Sequence, residues 1–143
     1  MIRSALLLAL LSAIPLSQSA HAAPDLTTVS ERSGFTATGR YDETIALCAS
    51  FQQAYPKQIR CIDFGITPEG RPMKALVASN TDAFTPEAAR KQGLPVTLIQ
   101  GGIHAGEIDG KDAGFLALRE ALEGRAAKGA LDKQVFIFVP VFN

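Results

Sequence analysis

From residue 41 onward the apolar positions fall into alternating helical and extended periods. Ile45, Cys48, Phe51 and Tyr55 recur at spacings of three and four, so Tyr41 to Tyr55 is predicted to be a helix with one apolar face. Asp42 and Glu43 sit near its start, where the helix dipole favours anions, and Pro56 ends it. Gln58 to Gly65 then reads as a strand with Ile59, Cys61 and Asp63 on one side. Thr67-Pro68-Glu69-Gly70 is a turn, because proline presets the bend and glycine accepts positive φ. Arg71 to Ser79 returns with Met73, Ala75, Val77 and Ser79 alternating against Lys74, Leu76 and Ala78, which predicts an antiparallel hairpin.

The second half of the chain changes rhythm. Thr85-Pro86-Glu87 opens a short helix, with threonine as cap and proline in the first turn, and Gly93 closes it. Pro95 to Gln100 (PVTLIQ) is a short, mainly apolar run, expected to be a central strand buried on both faces. Gly101-Gly102 breaks it. Ile108 to Glu123 is predicted helical, with Phe115, Leu118 and Leu122 facing inward and Gly124 as the stop. Gln134 to Phe142 (QVFIFVPVF) is a second buried strand. Strand, helix, strand over 95–142 forms a βαβ unit, expected to be parallel and right-handed. With the hairpin before it, the fold class is α/β with a mixed central sheet and flanking helices. So apolar a strand directly before Asn143 needs neighbours on both sides. The expectation is therefore an incomplete domain, the N-terminal piece of a longer protein.

The residues ahead of this pattern are of a different kind. Met1 to Ser4 carry one positive charge on Arg3, Ala5 to Ile14 are almost wholly apolar, and Ala20-His21-Ala22 fits a small-residue cleavage site. This three-part layout over 1–22 is that of a secretory signal peptide, too short to span a bilayer. The expected destination is the periplasm or the exterior. No lipobox-like cysteine follows, and no later stretch is long and apolar enough for a membrane span. Cleavage would leave His104 as the only histidine. Residues 23–40, rich in Thr, Ser and Gly, are expected to form an extended N-terminal arm, with the folded domain over 41–143.

Composition narrows the function classes. At 143 residues, 47% hydrophobic and 20% charged, the chain fits one globular domain and excludes disorder or a coiled coil. The formal net charge of 0 provides no basic face for nucleic acid. Two cysteines, Cys48 on the predicted helix and Cys61 on the next strand, lie where the helix packs back over the strand. In an oxidising compartment they can bridge, stabilising by about 3 kcal/mol; the alternative is two buried free thiols. Their spacing does not suit a zinc site.

The chemistry concentrates at Gly101-Gly102-Ile103-His104-Ala105-Gly106-Glu107. Ligands of open α/β sheets bind beyond the carboxyl ends of strands, and this segment lies between a buried strand and a helix. His104 and Glu107 are three apart, so both can point the same way. An imidazole and a carboxylate are zinc donors, and catalytic zinc sites use three protein ligands plus water. Taken alone the spacing is weak, and a helix cap beside a surface histidine explains it equally. Asp109 is a candidate to orient His104 from behind. Asp112 is expected to be a solvated first-turn acid, Lys111 to be exposed, and Arg71 to pack at the hairpin. The serines and cysteines have no second histidine with which to form a triad.

GGIHAGEIDGKDAG is similar to the metal-binding segment of the zinc carboxypeptidase family, the carboxypeptidase A-like metallopeptidases. Three further stretches resemble the family in order and spacing: Ala54-Tyr55-Pro56 at a helix end, the hairpin FGITPEGRPMKAL, and the closing VFIFVPVFN, with Asn143 at a family position near the site. The resemblance covers about residues 41–143. It implies that His104 and Glu107 are the first two zinc ligands, and that the third ligand, a histidine, and the general-base glutamate lie beyond residue 143. The implied activity is removal of a C-terminal residue from a peptide. Two departures stand inside the motif: Gly106 where many family members have arginine, and Ile108 where tryptophan is frequent. They leave open a cell-wall peptide amidase, or a ligand-binding domain of the same fold without catalysis.

Overall fold

The computed structural model describes residues 23–143. The signal peptide expected over 1–22 falls outside the described residues. The elements are helix α1 (Val29–Arg32), helix α2 (Tyr41–Ala54), strands β1 (Ile59–Ile66) and β2 (Pro72–Ala78), helix α3 (Pro86–Lys91), strand β3 (Val96–Gln100), helix α4 (Asp109–Leu122), a 3-10 turn at Ala130–Asp132, and strand β4 (Val135–Val139). The strands form one mixed sheet in the order β1-β2-β4-β3. The hairpin β1–β2 is antiparallel, with Ile59 opposite Ala78 and Ile66 opposite Pro72. β4 pairs antiparallel with β2 and parallel with β3. The mixed α/β class and the parallel β3–α4–β4 unit follow the sequence pattern.

Two clusters clothe the sheet. On one side Leu76, Ala78 and Phe138 meet α2 and α4 through Leu47, Cys48, Phe51, Phe115 and Leu118. The ring of Phe115 stacks on Phe51 at 5.7 Å and stands edge-on to Phe138 at 5.2 Å. On the other side Val77 and Val135 pack with Ala83 and Ala89. The alternation of β2 thus feeds both clusters, Leu76 and Ala78 to one and Val77 to the other. Cys48 and Cys61 are bonded across α2 and β1, with Cα atoms 5.4 Å apart. Thr85 caps α3 by accepting from Ala88 N at 3.2 Å.

Four details differ from the sequence expectations. The inner face of α2 is Thr44, Leu47, Cys48 and Phe51, and Ile45 is only half-buried. Cys48 and Phe51 of the expected series are fully buried, and the face is centred on the Leu47 side of them rather than the Ile45 side. Among the described residues β3 pairs only with β4, and Val96, Leu98 and Ile99 are exposed, so the burial on both faces expected of it is not seen within this chain. The crossover through α4 delivers the chain inward, so β4 takes the position between β2 and β3. The stretch 23–39, expected to be extended, contains a helical turn and packs against the domain. Thr28 and Glu31 form a reciprocal capping box around α1, and Leu26, Thr28 and Ser30 are buried. Arg119 of α4 holds this arm, donating to Leu26 O and to the Glu31 carboxylate. Lys111, expected at the surface, is buried, and the charged groups that account for this are described below.

Candidate metal centre

β3 ends at Gln100, and the ladder runs one residue further through Gly101 N donating to Val139 O at 2.8 Å. At Gly101 the chain lies directly against the first turn of α4. A Cβ there would lie 2.7 Å from Pro140 O, 2.9 Å from Gly110 C and 3.0 Å from Lys111 N, so only glycine permits the approach. This contact fixes both ends of the loop 102–108 that carries the candidate ligands. Within it, Glu107 N donates to His104 O at 3.2 Å, closing a tight turn.

The structure brings His104 and Glu107 together. His104 N donates to Glu107 Oε2 at 2.9 Å, and His104 Nδ1 lies 2.7 Å from Glu107 Oε1. Both side chains face solvent, His104 at 80% exposure. The His104 backbone N–H, followed by the His104 ring, holds the Glu107 carboxyl below its usual range, so it stands ready as an anion. Asp109 makes no hydrogen bond with His104 among the described residues; it opens α4 as an exposed first-turn acid. Gly106 has φ +90°, a conformation in which any L side chain is strained, although a Cβ there would meet nothing within 4 Å. The turn therefore depends on glycine at the position where the family pattern places arginine.

The donor set fits one side of a zinc site. Nδ1 and a carboxylate oxygen already converge on one point, and the hydrogen between them is what a divalent cation displaces. Tetrahedral zinc with bonds of about 2.0–2.2 Å sets its donors about 3.3 Å apart. The observed 2.7 Å pair need open only by roughly 0.6 Å to admit it. Among the described residues no group of three His, Cys, Asp or Glu side chains converges on a common point.

Two cavities flank the turn. A small one of about 130 Å³ lies between His104, Glu107, Gly102, Lys111 and the start of α2. A larger cleft of about 530 Å³ runs from Ala105 and Gly106 to the β1–β2 turn, with Arg71, Tyr41 and Asn143 on its walls. Arg71 is ion-paired to Glu69 at 3.2 Å and lies over the Tyr41 ring, so it borders this cleft while packing at the hairpin. Asn143 is tethered by its N–H to Gly102 O at 3.0 Å, which sets it beside the metal turn.

Behind the turn lies a charged cluster that the sequence reading missed. Lys111 Nζ is 2.7 Å from Glu43 Oε2 and 2.5 Å from Asp112 Oδ1, and the three side chains are 4%, 10% and 12% exposed. Thr38 Oγ1 donates to the other Asp112 oxygen at 2.7 Å, so Asp112 is not the solvated acid the helix position suggested. Lys111 is inside because two carboxylates meet it there, one from its neighbour Asp112 and one from Glu43, far away in the chain. The anchoring of the arm, by contrast, had a legible signal in Thr28-Val29-Ser30-Glu31, a capping-box spacing.

A mixed α/β chain with a histidine and a glutamate converging beyond a strand's end is the class that fold and site define. The profile of the zinc carboxypeptidase family matches residues 44–143, and the chain belongs to that family. Its fold is similar to carboxypeptidase A from Helicoverpa armigera, with a TM-score of 0.63 and 21% identity over 73% of this chain and 24% of that one. It is also similar to a metallo-carboxypeptidase from Burkholderia cenocepacia, with a TM-score of 0.56 and 27% identity over 73% of this chain and 27% of that one. The chain therefore spans about a quarter of the length of these structures. No curated protein matches it.

Proposed function

We propose that this chain is the N-terminal part of an exported, zinc-dependent carboxypeptidase that removes a C-terminal residue from peptides. The observation that carries the reading is the convergence of His104 Nδ1 and the Glu107 carboxylate beyond the end of β3. These two residues hold the ion from this chain; the third ligand and the general base are expected beyond residue 143. Bound zinc supplies Lewis acidity toward a scissile carbonyl and lowers the pKa of a coordinated water. The residues here bind and orient. Glu107 is kept ionised by the His104 N–H. The glycine contact at Gly101 sets the loop, and the cleft bordered by Arg71 and Asn143 receives substrate next to the ligands. The leader at 1–22 and the Cys48–Cys61 bond support export to an oxidising compartment. Among the described residues no helix is long and apolar enough to cross a membrane.

A second reading, a cell-wall peptide amidase, draws support from Gly106. With φ +90° that position takes no arginine without strain, so the substrate contact that many family members make from it is absent. The test uses the full-length protein with a blocked dipeptide, the same dipeptide amidated at its C-terminus, and a cell-wall peptide. Carboxypeptidase action predicts release of the terminal amino acid from the free acid only. His104→Ala should then lower kcat/KM by about 10³-fold or more, since several kcal/mol of transition-state stabilisation go with the metal. Cleavage of the cell-wall peptide alone favours the amidase, and an unimpaired His104→Ala variant refutes both.

A further inference from the structure

The charged cluster under the metal turn is costly for a fold element. Three charged groups leave water together, and apolar packing in their place would be at least as stable. Each member reaches a different part of the chain. Lys111 belongs to the first turn of α4, three residues after Ile108, where the loop ends, and its backbone N abuts Gly101. Glu43 belongs to α2, and its second oxygen accepts from Val29 N of the arm at 2.5 Å. Asp112 is held by Thr38 at the far end of the arm. Gly39 packs so tightly on Glu43 that a Cβ there would fall 1.9 Å from Oε2. Lys111 also borders the small cavity that His104 and Glu107 line.

We propose that Lys111 is a positioning residue for the metal turn: clamped by Glu43 and Asp112, it ties the first turn of α4, and so the backbone bearing His104 and Glu107, to α2 and the N-terminal arm. The inference rests on the zinc reading above for its consequence, not for its geometry. Among the described residues the cluster makes no hydrogen bond to His104 or Glu107 and acts through the backbone of the turn; the loss of a partner bonded directly to a ligand, about 10–100-fold in affinity, sets the upper scale of its effect. The pair Arg119–Glu31 is a natural control, because it also joins the arm to α4 but far along the helix from the turn.

The experiment compares Glu43→Gln, Thr38→Val and Glu31→Gln in the full-length protein. The readouts are zinc affinity by chelator competition, and hydrogen exchange of the Gly101, His104 and Glu107 amides without metal. Glu43→Gln and Thr38→Val are expected to weaken zinc binding by about 10-fold or more and to speed exchange at those amides. Glu31→Gln is expected to lower the melting midpoint while leaving both unchanged. Lys111→Arg, which keeps the cation, should retain more zinc affinity than Lys111→Met. Should Glu43→Gln and Thr38→Val behave like Glu31→Gln, the cluster is a staple only and the proposal is overturned. Should the wild-type protein take up no zinc, the functional reading fails, and exchange alone decides: faster exchange in the variants upholds the positioning role, unchanged exchange overturns it.

Discussion

Substituting Gly114 by alanine sets two effects of opposite sign against each other on the helix that bears the metal turn. Gly114 lies inside α4, where alanine gains about 1 kcal/mol in helix propensity. Its Cβ would fall 2.1 Å from Cζ and 2.2 Å from Cε2 of Phe138. That is about 1.4 Å inside the normal carbon–carbon separation. Phe138 is fully buried and wedged edge-on against Phe115, so the ring has little room to swing away. Overpacking of this kind costs about 1–3 kcal/mol, and the depth of the overlap puts it at or above the upper end. The net expectation is a loss of about 2 kcal/mol. With a urea m-value near 2 kcal/mol/M, the unfolding midpoint of the full-length protein should fall by about 1 M. In a Phe138→Leu background the same substitution should be neutral or stabilising. A midpoint that rises on Gly114→Ala in the wild-type background would mean that α4 does not press on β4 as described, and the placement of the turn between them would fall with it.

Two more outcomes follow from the same contacts. The Cys48–Cys61 bond closes a loop with a sequence separation of 13, so replacing both cysteines by serine should cost about 3 kcal/mol; urea unfolding with and without reductant reads it, and equal midpoints would argue against a closed bond. Burial pushes the Glu31 carboxyl up, but the Arg119 guanidinium and the Thr28 N–H outweigh it and hold the group below 4.5. A carboxyl depressed in the folded state adds stability above its unfolded pKa and loses it as pH falls through the folded value. Glu31→Gln should therefore lower stability at neutral pH by about 1–2 kcal/mol and flatten the acid limb of the stability profile, whereas an unchanged acid limb would deny the ion pair.

Much of the architecture was legible because local chemistry agreed with the global fold. Thr85-Pro86 marked the start of α3, Thr67-Pro68-Glu69-Gly70 marked the hairpin, and the glycines at 101 and 102 marked the end of β3. The approach of His104 to Glu107 was readable because the two are three residues apart, although a tight turn ahead of α4, not the helix itself, brings them together. What failed was long-range. The burial of an apolar hexapeptide depends on neighbours elsewhere in sequence, and among the described residues β3 has only β4 beside it, which leaves Val96, Leu98 and Ile99 exposed. Lys111 was read as exposed because nothing near it in sequence announces Glu43, 68 residues away. On α2 the sequence placed Cys48 and Phe51 inside but chose Ile45 over Leu47, since both are apolar and only packing against the sheet decides between them.

The most direct test is where the metal sits. Zinc anomalous diffraction from crystals of the full-length protein should show one peak bonded to His104 Nδ1 and the Glu107 carboxylate, with a further protein ligand from beyond residue 143. A peak ligated by other residues, with the His104 and Glu107 side chains turned away from it, would contradict the account.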